Sequence, residues 1–261
     1  MTEISASLVK ELRDATSAGF MDCKRALEET GGDLDAAVLL LRERGMASAA
    51  KRAERATTEG IVLTRVEDGV AAIAAVGCET EPVARNADFR EFADAVVATV
   101  FEGGESGDLE EQRVDVAARL GENVQVVGSR RLEAGAGETL AAYVHPPANK
   151  VGAVVRGTGS AEVARRLAMH ISFARPTFST RDDVPAELVE AEREILRKQP
   201  EVESRPPEVR EKIVDGMLNK RFFAESVLGE QTWIHDSSQT VAAALAAAGF
   251  ALAEYAWESV G

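Results

Sequence analysis

Apolar positions recur first at helical and then at strand spacing. Ile4, Leu8, Val9 and Leu12 fall at helical intervals, and Thr16, Ser17 and Gly19 interrupt them. A second helix is predicted from about Met21 to Glu29, closed at Gly31 and Gly32, where glycine adopts the left-handed conformation that ends a helix. Asp33 caps a third, with Leu34, Ala37, Val38 and Leu41 on one face and an end near Gly45. From Met46 to Glu59 the residues turn to Ala, Lys, Arg and Glu. This reads as a helical linker whose charges, Lys51, Arg52 and Arg55, face water until Gly60 ends it.

A weak internal repeat follows. Ile61–Val66 and Val70–Val76 form a predicted hairpin around Asp68 and Gly69, and a helix starting at Asn86 carries Phe89, Ala93, Val97 and Val100 at one-turn intervals. Leu140–Val144 and Val151–Val155 repeat the hairpin, and a helix from Ser160 repeats the stripe as Val163, Leu167, Ile171 and Ala174, at one constant offset. Between the repeats lie an acidic loop from Glu102 to Glu111 entering a short helix, and a strand from Asn123 to Leu132. The last third is mainly helical. One helix begins at Pro185, carries Leu188, Val189, Ile195 and Leu196 and stops at Pro200; another after Pro206 and Pro207 carries Val209, Ile213, Met217, Phe222 and Phe223. They make a helical hairpin, either packed on the sheets or projecting as an arm. An alanine-rich helix, Gln239–Ala248, and a closing strand, Phe250–Trp257, complete the chain.

The expected fold class is therefore α+β: an amino-terminal three-helix bundle resembling the ubiquitin-associated type, then two similar antiparallel-sheet-plus-helix subdomains with a helical hairpin. The expected units are residues 1–55, bundle and linker; 56–139, the first core subdomain; and 140–261, the second with the hairpin and closing strand.

Charge narrows the functional classes. A formal net charge of -14 over 261 residues argues against gripping nucleic-acid phosphates, which takes clustered Lys and Arg. Cys23 and Cys78 build no disulfide framework and no CxxC zinc pair, which fits a reduced, cytoplasmic setting. No apolar run approaches the roughly 20 residues of a membrane span, and no leader pattern opens the chain.

Of the histidines, His170 lies on the apolar edge of its helix and reads as a satisfied buried imidazole, while His145, before Pro146 and Pro147 in a turn, reads as an exposed contact residue. No spacing supports a catalytic triad, a metal set, a GxxxxGK[ST] loop or a GxGxxG turn. No catalytic residue, metal ligand or cofactor site is assigned, and an enzyme with its own nucleotide or metal is disfavoured. The distinctive stretch is GCETEPVARNADFREF, Gly77 to Phe92. It joins an apolar strand to a helix through Glu79, Thr80, Glu81, Pro82 and Val83, a short stiff projection with two carboxylates and an apolar tip. Asn86 caps the helix, and Asp88 suits its positively polarised first turn. In the bundle, Phe20 beside Gly19 is either exposed for docking or packed inward.

Several separated segments share a resemblance. LRDATSAGFMDCKRALEETGGDLDAAVLLLRERG looks like the amino-terminal bundle of bacterial elongation factor Ts, the exchange factor of elongation factor Tu. GCETEPVARNADFREFA looks like that family's signature, RLAMHISFARP like its second-subdomain helix and KIVDGMLNKRFFAESVLGEQ like a later helix. The resemblance implies a protein that binds elongation factor Tu through the bundle and both subdomains. It further implies that the projection, Thr80, Glu81, Pro82 and Val83, presses on elements beside the nucleotide so that magnesium and phosphate contacts are disturbed and GDP leaves for GTP. Arg13, Phe20 and Met21 stand on positions the family uses against the GTPase, with Met21 open to a core role instead, and His145 is a further candidate contact. The chain departs from the family pattern where Glu81 and Pro82 replace the usual Asp and Phe, and where Ser17 replaces a glycine. The implied partner is elongation factor Tu in a 1:1 or 2:2 complex, with no nucleic acid and no membrane. The rival readings are an exchange-inactive GTPase-binding paralogue and a ubiquitin-associated-like adaptor.

Overall fold

The structure is a computed structural model that describes residues 4–16 and 18–261, with the side chains of 48–50 outside the description. Ser17, read above as interrupting the first helix, therefore lies outside the described residues.

The bundle consists of α1 (Ala6–Thr16), α2 (Phe20–Glu29) and α3 (Leu34–Arg52). Val9, Leu12, Cys23, Ala26, Leu27 and Ala37 form its core, with Ile4, Leu8, Leu34, Leu40 and Leu41 around them. Two expectations are corrected here. Val38 is exposed and Leu40 takes the inward place. The third helix does not end near Gly45 but continues to Arg52. Gly45 lies instead where α3 meets a later helix: a Cβ added there would stand 3.0 Å from the Cβ of Ala118. The glycine permits close helix approach and stops nothing, because a helix is ended by a left-handed backbone, which Gly31 and Gly32 adopt and Gly45 does not.

β1 (Glu59–Glu67) and β2 (Val70–Cys78) pair antiparallel from Glu59 opposite Cys78 to Glu67 opposite Val70. Asp68 and Gly69 both take positive φ, the turn whose twist matches a two-residue hairpin. β2 is buried along nearly its whole length because each of its faces meets a different layer. Ala72, Ala74 and Val76 pack beneath α5 (Ala87–Phe101) with Phe89, Phe92, Ala93, Val96 and Val97. Ala71, Ile73 and Ala75 turn toward the second sheet. After α5 the acidic segment forms a 3-10 turn, Ser106–Leu109, leading into α6 (Glu110–Leu120), and β3 (Gln125–Glu133) returns beside β2 to give the order β1-β2-β3. A short helix, α4 (Glu81–Ala84), occupies the connection between β2 and α5.

The second unit repeats this plan. β4 (Thr139–Val144) and β5 (Val151–Thr158) form the hairpin, α7 (Ala161–Ala174) covers it, and β6 (Ala251–Ser259) returns beside β5 in the order β4-β5-β6. Ala153, Val155, Ala164, Leu167, Ala168 and Ile171 form its core with Trp233, Val241 and Phe250. The two sheets face each other across Val62, Ile73, Leu132, Val154 and Val260, so the core is layered helix, sheet, sheet, helix. Between α7 and β6 come α8 (Ala186–Arg197), α9 (Pro200–Glu203), α10 (Pro207–Met217), a wide π-type turn (Leu218–Phe223), α11 (Ala224–Ser226) and α12 (Val241–Ala247). The helical hairpin has a small core of its own, Leu196, Val202, Val214, Met217 and Leu218. It is tethered where the Thr177 and Phe178 N–H groups both donate to the Ser226 carbonyl.

Candidate partner-binding site

The connection from β2 to α5 is a knuckle whose outer face and root are built differently. Thr80 is extended, and Glu81–Ala84 then makes a single helical turn with Pro82 in its first positions, where the missing N–H is not needed. Glu81 and Pro82 are exposed, Val83 is half-buried and Ala84 is buried. Glu81 pairs with Arg85 at 2.5 Å. Val83 is not the apolar tip expected from the sequence: the helical turn brings it inward against the cluster beneath α5, leaving Glu81 and Pro82 exposed between Thr80 and Arg85. Asn86 caps α5 as expected, its side-chain oxygen accepting from the Asp88 N–H at 2.8 Å.

Below these residues lies a dense set of polar contacts. The Glu122 carboxylate accepts from the N–H groups of Glu79 and Thr80, both at 3.0 Å, and from the Thr80 hydroxyl at 2.5 Å. The Glu79 carboxylate accepts from the Asn123 N–H at 2.7 Å and lies 3.4 Å from the Arg55 guanidinium. Asn123, buried, donates from its amide to the carbonyls of Ala53 and Arg55. Arg55 is exposed, as expected of a linker charge, while also reaching Glu79; Arg52, likewise expected to face water, is half-buried. The Cys78 thiol donates to the Thr80 carbonyl at 3.3 Å. Burial, and then the Glu122 charge, push its pKa up to about 12, so it stays a thiol at neutral pH.

The other sequence candidates lie apart from the knuckle. His145 is exposed in the turn between β4 and β5, its Nδ1 3.0 Å from the Tyr143 hydroxyl. That turn reaches the same end of β1 as the knuckle: Lys150 pairs with Glu59 at 2.6 Å, and Glu59 stands opposite Cys78. Phe20 and Met21 open α2 and are 48% and 58% exposed, which decides against a core role for Met21; Arg13 is exposed on the last turn of α1. Among the described residues no hydrogen bond or ion pair joins Arg13, Phe20 or Met21 to the knuckle. A cleft of about 910 Å³, lined by Asp22, Arg42, Arg52, Asp88 and Arg119 among others, opens between the bundle and α5 and α6 beside the place where α3 packs on α6.

His170 is fully buried, as the sequence indicates. The Ile234 N–H donates to its Nδ1 at 3.3 Å, which leaves the ring proton on Nε2 to meet Gln231 Oε1 at 3.0 Å. Burial holds its pKa below the usual histidine range. Among the described residues no cluster of three or more His, Cys, Asp or Glu is arranged to hold a metal, and no helix is long and apolar enough to cross a membrane. Sequence reasoning missed Glu122 and Asn123. Their only local mark is Gly121, whose left-handed backbone ends α6 just before them.

Fold and site together define a class: a three-helix bundle ahead of a doubled sheet-and-helix core, with an exposed, root-anchored knuckle between strand and helix in the first half only. The family model described as elongation factor TS matches residues 79–261. An elongation factor Ts from Thioalkalivibrio sulfidiphilus is 40% identical over an alignment covering 99% of this chain and 92% of that protein. One from Shewanella amazonensis is 40% identical, covering 99% and 91%, and one from Haemophilus influenzae is 40% identical, covering 92% and 85%. The chain belongs to the elongation factor Ts family, whose place is in translation elongation and protein biosynthesis.

Proposed function

We propose that this chain binds elongation factor Tu and promotes release of GDP and its exchange for GTP, without covalent chemistry, by displacing the elements that hold magnesium and the phosphates. Thr80, Glu81, Pro82 and Val83 are the residues that act, with Glu81 and Pro82 making the outer contact and Val83 anchoring the turn from within. Arg13, Phe20 and Met21 on the bundle and His145 on the second hairpin supply further binding surface, so that residues 1–55, 56–139 and 140–261 work as three units on one partner. The observation that carries this reading is the knuckle: in a chain of this family, an exposed Glu81-Pro82 pair stands on a turn whose root is hydrogen-bonded to Glu122 and Asn123.

The physics is linkage. An exchange factor must bind the nucleotide-free GTPase more tightly than the loaded one, and a thousandfold weakening of GDP corresponds to about 4 kcal/mol of coupling, which GDP returns by loosening the factor to the same degree. Pro82 offers less contact area than an aromatic ring, yet its fixed backbone angle leaves less freedom to lose on binding. The test is release of fluorescent GDP from purified elongation factor Tu with and without the chain. The expected result is acceleration by the chain and its loss, by roughly a hundredfold, in the Glu81→Ala, Pro82→Ala double variant. Unchanged exchange in that variant refutes the assignment of the knuckle. Replacement of the ring by Pro82 favours one second reading, a GTPase-binding protein inactive in exchange, which would show a stable complex with no faster GDP release.

A further inference from the structure

We propose that Glu122 is the positioning residue that sets the pose of the knuckle for nucleotide release, an inference that rests on the exchange reading above. Glu122 and Asn123 sit in the turn between α6 and β3, far from the knuckle along the chain, yet they clasp its root reciprocally. The Glu122 carboxylate takes the backbone N–H of both Glu79 and Thr80, and the Glu79 carboxylate takes the backbone N–H of Asn123. The Thr80 hydroxyl, placed where it would ordinarily cap α4, makes no cap bond and donates to Glu122 instead. One carboxylate thus receives three donors, and hydrogen bonds to an ionised acceptor are stronger than those between neutral groups. Beyond Thr80, the backbone–backbone bonds of the knuckle are its own turn, Ala84 N–H to the Thr80 carbonyl, Arg85 N–H to the Glu81 carbonyl and Asn86 N–H to the Val83 carbonyl, and the Arg90 Nε–H adds a long bond of 3.5 Å to the Ala84 carbonyl. The direction in which Glu81 and Pro82 point is therefore set at the root and by the inward packing of Val83 and Ala84.

A projection that must displace groups in another protein does so only if it is stiffer than what it pushes against; a loosely held one yields and spends its contact energy on becoming ordered. The clasp also reaches the bundle side of the molecule. The Asn123 amide binds the Ala53 and Arg55 carbonyls, and Gln125 adds a bond to Ala53 at 2.8 Å, so the chain leaving α3 is held in part by Asn123, whose backbone N–H also holds Glu79.

The experiment measures GDP release from elongation factor Tu across a concentration series of the chain, for wild type, Glu122→Gln and Glu122→Ala, separating the maximal stimulated rate from the half-saturating concentration. Amide deuterium exchange of the free proteins is followed in parallel. Glu122→Ala is expected to lower the maximal rate roughly tenfold, with the half-saturating concentration within about threefold of wild type. The amides of Glu79 and Thr80 should exchange faster, while those of α5 stay protected. Glu122→Gln keeps the shape but turns one acceptor into a donor, and should fall between. A wild-type maximal rate in Glu122→Ala overturns the proposal, as does a rise in half-saturating concentration alone or loss of α5 protection, each of which marks a role in binding or folding. If the wild-type chain itself does not speed GDP release, the exchange reading fails instead.

Discussion

The two halves of the core connect strand to helix in different ways. In the second half β5 runs to Thr158 and Ser160 caps α7 by accepting from the Glu162 N–H, so Gly159 alone makes the turn. Its φ of +135° suits glycine, and an added Cβ would stand 2.9 Å from the Phe250 ring. In the first half β2 ends at Cys78 and Asn86 caps α5, with Glu79 to Arg85 between them. Strand, cap and helix are otherwise equivalent, so burying the helix on the sheet does not require the extra residues. Packing accounts for Val83 and Ala84; it does not account for Glu81 and Pro82, which is why function is sought there.

The comparison sharpens at matched positions. Phe89 on α5, fully buried, corresponds to the half-buried Val163 on α7. Phe89→Ala should cost about 3–5 kcal/mol and lower the melting temperature by about 10 °C. Val163→Ala should cost under about 1.5 kcal/mol, and equal losses in thermal denaturation would show that the two helices depend alike on this matched position.

A smaller effect separates His170 from its counterpart Val96, both fully buried. His170→Val would leave Gln231 Oε1 and the Ile234 N–H without their partner, a loss of about 1–3 kcal/mol at neutral pH. Because burial depresses the folded-state pKa from an ordinary value of 6.5, the unfolded chain binds the proton first as pH falls. Stability from this group is therefore complete above about pH 6.5 and is lost progressively below it toward the folded value. The Gln231 side chain, hydrogen-bonded to the ring, works against that shift, and Arg166 lies over the Trp233 ring that stacks on His170. Melting curves at pH 7.5 and 5.5 should show a steeper acid loss in wild type than in His170→Val; parallel losses would exclude His170 as the source.

The smallest effect concerns the caps. Asn86→Ala and Ser160→Ala should each cost about 1 kcal/mol, equal within error, since each side chain holds one backbone N–H at the start of a helix of similar length. A markedly larger loss at Asn86 would mean that the knuckle adds to the stability of α5, and the two connections would then differ in more than length.

Much of this was legible in the sequence because it depends on neighbours along the chain. Asp68-Gly69 fixes a hairpin turn, Asn86 and Ser160 announce helix starts, and the stripes from Phe89 and Val163 repeat at one spacing. Less legible was α3, where Gly45 reads as a stop until the helix packed against it is known.

By itself, then, the sequence determined the elements, their order and the doubled plan, since caps, turns and periodicity act through backbone bonds spanning a few residues. Tertiary structure alone decided that Val83 turns inward, that Arg55 and Asn123 meet across the linker, and that Glu122 holds Thr80 from 42 positions away. Such contacts exist only after the chain has closed on itself, when the entropy of bringing distant segments together has been offset by burial of the two facing sheets. No local pattern encodes which carboxylate will then find which N–H.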